Sequence, residues 1–272
     1  MLIKAGDILM NIEKWSLLNA FTKNGRNLKK ENSDITLFPK AEDVFVESGL
    51  EMYFTPILTY SCFFEEKKYD IHILTSAGLI CENSYLNSED RFFGFKYING
   101  KYSFMGNLNT FGNSQIKEVY NFLREDFEKN KDYYLEQKVN ITDYMKMIKP
   151  LARRVGHFTE AQSICTYIEN FYSYELAKYH YEKTGKLKHL FEITDAVYNK
   201  DRSYFFDGEK TAELLKDFYE KFGEYYQNRY DFKNVKPVCS VDTFKFTSFA
   251  ATAVTFLNPE KNLVYTLEYT EN

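Results

Sequence analysis

The chain has 272 residues, 44% of them hydrophobic and 27% charged, the profile of a polypeptide that buries a core rather than one that stays disordered. Its 35 basic and 39 acidic residues leave a net charge of −4, which gives no field favouring nucleic acid or an anionic membrane. Aromatic residues reach 18%, bringing much buried area per residue, although Lys, Asn, Ile, Tyr and Phe together are also what an AT-rich genome supplies without selection for function.

Near Met1, Lys4, Asp7, Glu13 and Lys14 interrupt each apolar run before it reaches signal-peptide length. No later run approaches the roughly 18 apolar residues of a membrane span, so a cytoplasmic protein without membrane contact is expected. Ile12, Trp15, Leu18 and Phe21 recur at helical spacing and predict a short helix. The polar stretch after it carries Lys23, Arg26, Lys29 and Lys30, too few charges for more than weak, salt-sensitive attraction to a phosphate backbone.

From about Asp43 to Met105 the pattern turns to strands. "ILTYSCFF" and "YDIHILTS" are rich in β-branched and aromatic residues and flank the turn "EEKK". "FGFKYI" and "KYSFM" flank Asn99-Gly100, the pair best able to take positive φ at both centres of a type I′ turn. The N-terminal third therefore reads as one antiparallel sheet.

Helices follow. Ile116, Val119, Tyr120, Leu123, Phe127 and Tyr134 form one apolar face, opposite Lys117, Glu118, Arg124, Glu125 and Glu128. A second helix is interrupted near Pro150, which lacks the amide hydrogen the helix needs. A third begins at Thr159, paired with Gln162 in a capping box, and stops at Gly185. "KLKHLFEITDAVYNK" and "GEKTAELLKDFYEKFGEYYQNRYDF" predict two more.

Strands return in "DTFKFTSF", "ATAVTFL" and "LVYTLEY", the last two joined by a turn around Asn258-Pro259. The expected class is α+β: an N-terminal antiparallel sheet with hairpins, a central helical segment, and a C-terminal β-hairpin that packs on helices or completes the sheet. A mainly β region over 1–112 and a helical region ending in the hairpin over 113–272 describe the organisation, either as two units or as one continuous domain.

"FYSYELAKYHY", Phe171 to Tyr181, concentrates rings on one helix. At about 100° per residue, Ala161, Cys165, Ile168, Tyr172, Leu176 and Tyr179 share a core stripe, with Ile164 and Phe171 on its shoulder. Tyr167, Tyr174 and Tyr181 recur every seven residues on another flank. Two explanations compete: a central helix packed on two sides, or an exposed tyrosine ridge that binds a partner protein. Stacking of nucleic-acid bases is disfavoured, because no flanking basic groove follows the helix.

Chemical motifs are scarce. Cys62, Cys81, Cys165 and Cys239 form no C-x-x-C pair, and His72, His157, His180 and His189 form no metal-binding spacing, so neither a metal nor a cofactor is expected. Gly106 and Gly112 bracket a loop between strand and helix, but Asn113 stands where a phosphate-binding loop needs lysine, which leaves Asn113 or Ser114 as a helix cap. Arg153, Arg154 and His157 beside a capped helix start are the other place an anion could be held. No residue receives a catalytic role.

Two functions are consistent with these features. The first is a cytosolic, non-enzymatic module that binds another protein, with Tyr167, Tyr174 and Tyr181 as its contact residues. An immunity or inhibitor protein, or a phage or mobile-element accessory protein, would be a concrete form of it. The second is an enzyme with a dispersed site acting on a phosphorylated or anionic small molecule near Gly112, Asn113, Arg153, Arg154 and His157.

Overall fold

A computed structural model describes residues 35–64, 66–76, 91–106, 108, 116–137, 161–185, 187, 235–243, 246–248 and 252–269. The helix expected around Trp15, the basic stretch after it, the helix at Pro150, the capping box at Thr159 and the two helices expected between residues 186 and 231 lie outside the described residues.

Two antiparallel sheets and a few helices make an α+β architecture. The first sheet has the order β1-β2-β3, with β1 at Ile35–Leu37, β2 at Thr55–Phe64 and β3 at Lys67–Thr75. After a register shift between Pro56 and Leu58, alternation divides the rest of β2. Leu58, Tyr60, Cys62 and Phe64 enter the core, while Thr59, Ser61 and Phe63 lie opposite His72, Asp70 and Lys68. Between β1 and β2 the chain forms a short helix α1, Ala41–Val44, and a 3₁₀ turn, Leu50–Met52. Gly49, at φ 93°, supplies the left-handed step into that turn, and its N–H donates to Glu51 Oε2 at 2.9 Å.

The second sheet has the order β5-β4-β8-β7-β6, from β4 Arg91–Ile98, β5 Lys101–Phe104, β6 Lys236–Asp242, β7 Thr252–Asn258 and β8 Leu263–Tyr269. Asn99 (φ 51°) and Gly100 (φ 85°) make the expected primed turn between β4 and β5. The single N-terminal sheet expected from the sequence is instead divided. β2 and β3 belong to one sheet, and β4 and β5 belong to the other, where β8 pairs with β4 on one side and β7 on the other. The C-terminal hairpin thus completes the sheet that β4 and β5 begin. The strand expected over "DTFKFTSF" is also displaced. β6 ends at Asp242, and the Thr243 carbonyl then accepts the N–H groups of Phe246 and Thr247, both at 2.9 Å, which turns the chain.

Side chains from the two sheets interlock. The fully buried Phe54 ring lies 5.0 Å from Phe93, 5.1 Å from Phe95 and 4.9 Å from Phe104. Polar groups join the sheets along β3, the edge strand of the first one. The Asp70 N–H donates to the Tyr97 hydroxyl at 3.0 Å and the His72 N–H to the Tyr102 hydroxyl at 2.8 Å. Beyond them, Glu268 of β8 accepts from the hydroxyls of Thr75 and Ser76 and from the Ser76 N–H at 2.8 Å. Groups that would otherwise offer a pairing edge are satisfied by side chains. The outer face of the second sheet is covered as well, since Val254, Phe256, Tyr265 and Leu267 are buried.

Helix α2, Ile116–Gln137, and helix α3, Ala161–Thr184, complete the described fold. The apolar face read from the sequence is the packed one: Ile116, Val119, Leu123, Phe127 and Tyr134 are buried. Contacts advance together along both helices, from Tyr120 against Phe171 to Asp132 bonded by Lys183, so the two run in the same direction. Asp126 Oδ2 holds them together midway, accepting the Tyr134 and Tyr172 hydroxyls at 2.7 Å each. Gly185, at φ 65°, ends α3 by donating to the Tyr181 carbonyl at 2.7 Å.

Candidate functional site

Helix α3 is covered on more than one flank. Its core stripe packs against α2 through Phe171 and Tyr172, and the seven-residue flank meets the segment that leads into β2. There the Tyr167 hydroxyl donates to the Met52 carbonyl at 2.9 Å, and the Tyr174 hydroxyl donates to the Pro56 carbonyl at 2.7 Å. Two turns of helix carry one tyrosine about 10 Å past the other, so each reaches a different carbonyl of that segment. Both rings are buried, and burial raises both phenols well above their ordinary range.

Of the two explanations weighed from the sequence, the central helix packed on two sides describes Tyr167 and Tyr174, and an exposed ridge does not. Tyr167 and Tyr174 form an internal seam between helix and sheet, because the helix is central and its second flank is occupied by the protein's own chain. Only Tyr181 stays half-exposed, with its ring 5.6 Å from Phe38, which also meets Tyr174 at 5.5 Å. Gly112, Asn113, Arg153, Arg154 and His157 lie outside the described residues.

Beside this seam the fold leaves a small cleft of about 80 Å³. Pro39, Ala41, Thr55 and Pro56 form the wall on the β1–β2 side, and Tyr120, Tyr167, Phe171 and Tyr174 form the wall on the helical side. Glu51, Glu175 and Lys178 supply its charges. Glu175 is half-buried, and desolvation raises its carboxyl above the usual range, offset in part by Lys178, whose ammonium is 3.9 Å away. A pair so loose and partly wet is worth on the order of 0–1 kcal/mol. The Tyr120 phenol is also raised, first by burial and then by the charges of Glu175 and Glu51, with Arg124 acting in the other direction. Its volume falls well short of the roughly 300–1,000 Å³ of a drug-sized ligand site, which restricts any occupant to a side-chain head or a comparably small group.

Elsewhere among the described residues, His72, Cys62 and Cys239 serve the fold. The Gly100 carbonyl can only accept, so His72 Nε2 carries the proton of the 2.6 Å bond to it, and Nδ1 accepts the Thr59 hydroxyl at 2.8 Å. Burial lowers the pKa of this imidazole. Cys62 and Cys239 are buried thiols outside any disulfide, and burial drives Cys239 away from the thiolate form. Among the described residues, no group of three or more His, Cys, Asp or Glu side chains is placed to hold a metal ion. No described helix is long and apolar enough to cross a membrane.

Two carboxylate arrangements were not singled out from the sequence. Asp126 and its tyrosines are one. Glu268 is the other, 1% exposed and bonded to Thr75 and Ser76 of the opposite sheet. Alternation in "LVYTLEY" gave the only signal for Glu268, because it places that residue on the face shared by Val264 and Thr266. No protein-family model, no curated protein and no solved structure matches this chain.

Proposed function

We propose that the chain is a cytoplasmic, non-enzymatic protein-binding module that covers part of a partner protein, with an immunity, inhibitor or mobile-element accessory role as its concrete form. The observation that supports this reading is the cleft beside α3. It is walled by aromatic rings and proline, carries two carboxylates against one lysine, and is too small for a cofactor. Such a surface resembles the anchoring pockets of protein interfaces, where a few aromatic or arginine contacts seated in well-packed pockets give most of the binding energy. An anionic or phosphorylated small molecule is disfavoured at this cleft, since Glu51 and Glu175 would repel it.

The test is affinity capture with the tagged full chain, run in parallel with a Glu175→Lys variant that reverses the cleft's charge. A stoichiometric protein retained by the native chain through moderate salt and released by the variant is the expected result. Equal retention by both would remove the cleft from the interface. A co-purifying phosphorylated small molecule in place of a protein would overturn the reading in favour of an enzyme.

A further inference from the structure

We infer that the cleft beside α3 is a receptor for one basic side chain, the lysine or arginine head of a partner protein, and that Lys178 is the internal cation this head displaces. The inference rests on the protein-binding reading above and deepens it by naming the chemistry of the contact.

The argument begins with the hydrogen-bonding capacity of the walls. Tyr167 and Tyr174 line the cleft and use their hydroxyl protons on the Met52 and Pro56 carbonyls, so neither hydroxyl has a proton left to offer an occupant. The carboxyl groups of Glu51 and Glu175 add acceptor oxygens to the lining. Glu51 is already fixed in direction by the Gly49 N–H at 2.9 Å, which holds its carboxylate on the turn at the cleft wall. A site rich in acceptors selects an occupant rich in donors, and ammonium and guanidinium groups carry donors and no acceptor.

Charge and shape point the same way. Two carboxylates oppose one ammonium, and that ammonium belongs to Lys178, a partly exposed residue 3.9 Å from Glu175 and longer than a direct charge-assisted bond. Its place can therefore be taken by a cation that approaches more closely. Aromatic walls favour the same class of ligand, because rings attract a cation and cover the alkyl stem of a lysine or arginine. At about 80 Å³ the cleft holds such a head and little more.

The experiment is a titration of the full-length protein, followed by NMR of labelled tyrosine and lysine side chains, with methylguanidinium and n-butylammonium as cationic probes and butyrate as the anionic control. Saturable shifts with either cation, centred on Tyr120, Tyr167 and Lys178, and none with butyrate are expected. Glu175→Gln should weaken binding by roughly two- to fivefold, in line with removal of one partner of a partly exposed charge pair. Lys178→Met should tighten it severalfold, a gain that misfolding cannot imitate. Absence of saturable shifts in the Lys178→Met protein, or equal response to butyrate, would overturn the inference. If a captured partner depends on the cleft while no cation binds, the basic-head assignment fails and the protein-binding reading stands. Cation binding without any protein partner would give the reverse.

Discussion

Tyr174 and Tyr181 lie on the same flank of α3 and have different surroundings, which makes them a matched pair of probes. Replacing Tyr174 by Phe leaves the buried Pro56 carbonyl without its donor, and the expected cost in urea denaturation is about 1–2 kcal/mol. Tyr181→Phe changes a half-exposed ring and should stay within about 0.5 kcal/mol of the native chain. His72 gives a pH-dependent counterpart. Desolvation lowers its pKa in the folded protein, and the smaller influences of the Gly100 carbonyl, Asp70 and Asp43 act in the other direction. The unfolded chain then binds the proton more readily, so the His72 contribution is complete above the ordinary value of about 6.5 and is lost as pH falls from there toward the folded pKa. Thermal unfolding at pH 7.5 and pH 5 should show a larger loss of stability on acidification in the native chain than in a His72→Asn variant. Equal losses would contradict the assignment of a buried neutral imidazole.

Strand β3 shows why its edge needs tyrosines. It is the last strand of its sheet, and the N–H groups of Asp70 and His72 are taken by hydroxyls of the other sheet. Tyr102 is fully buried, so Tyr102→Phe would leave the His72 amide unpaired and away from water, at an expected cost of about 1–3 kcal/mol. Tyr97 is half-exposed, and water can replace its hydroxyl, so Tyr97→Phe should cost less than half as much. Chemical denaturation of the two variants side by side checks that order. The turns and faces of these elements were legible in the sequence: Asn99-Gly100 as a primed turn, Gly185 as a helix stop, and the stripe from Ile116 to Tyr134 as the packed side of α2. Their partners were not. Alternation specifies the face on which Glu268 lies but not that Thr75 and Ser76 will meet it there. Likewise, the helical wheel separates Tyr167 and Tyr174 from the core stripe. Whether that flank meets water or another part of the chain is decided by contacts from residues more than a hundred positions away.

The molecule as a whole is joined across residue 112. The five-stranded sheet takes β4 and β5 from before that point and β6, β7 and β8 from after it, and β8 lies between β4 and β7 with ladders on both sides. A chain cut at residue 112 would leave β4–β5 as an isolated hairpin beside the first sheet, and β8 would present an open edge. A lone hairpin is marginal in water, and an unpaired apolar edge invites aggregation. Contacts would be divided at the same time: Phe54 keeps Phe93, Phe95 and Phe104 in its own fragment, but the bonds of Tyr167 to Met52, Tyr174 to Pro56 and Ser76 to Glu268 all cross the cut. Fragments 1–112 and 113–272, produced separately, should each lack the dispersed amide spectrum of a folded protein, and mixing them during refolding should restore it. If either fragment gives a dispersed spectrum and cooperative unfolding alone, the sheet that spans residue 112 does not bind the two halves into one folding unit, and its β4–β8 ladder contributes less than its central position implies.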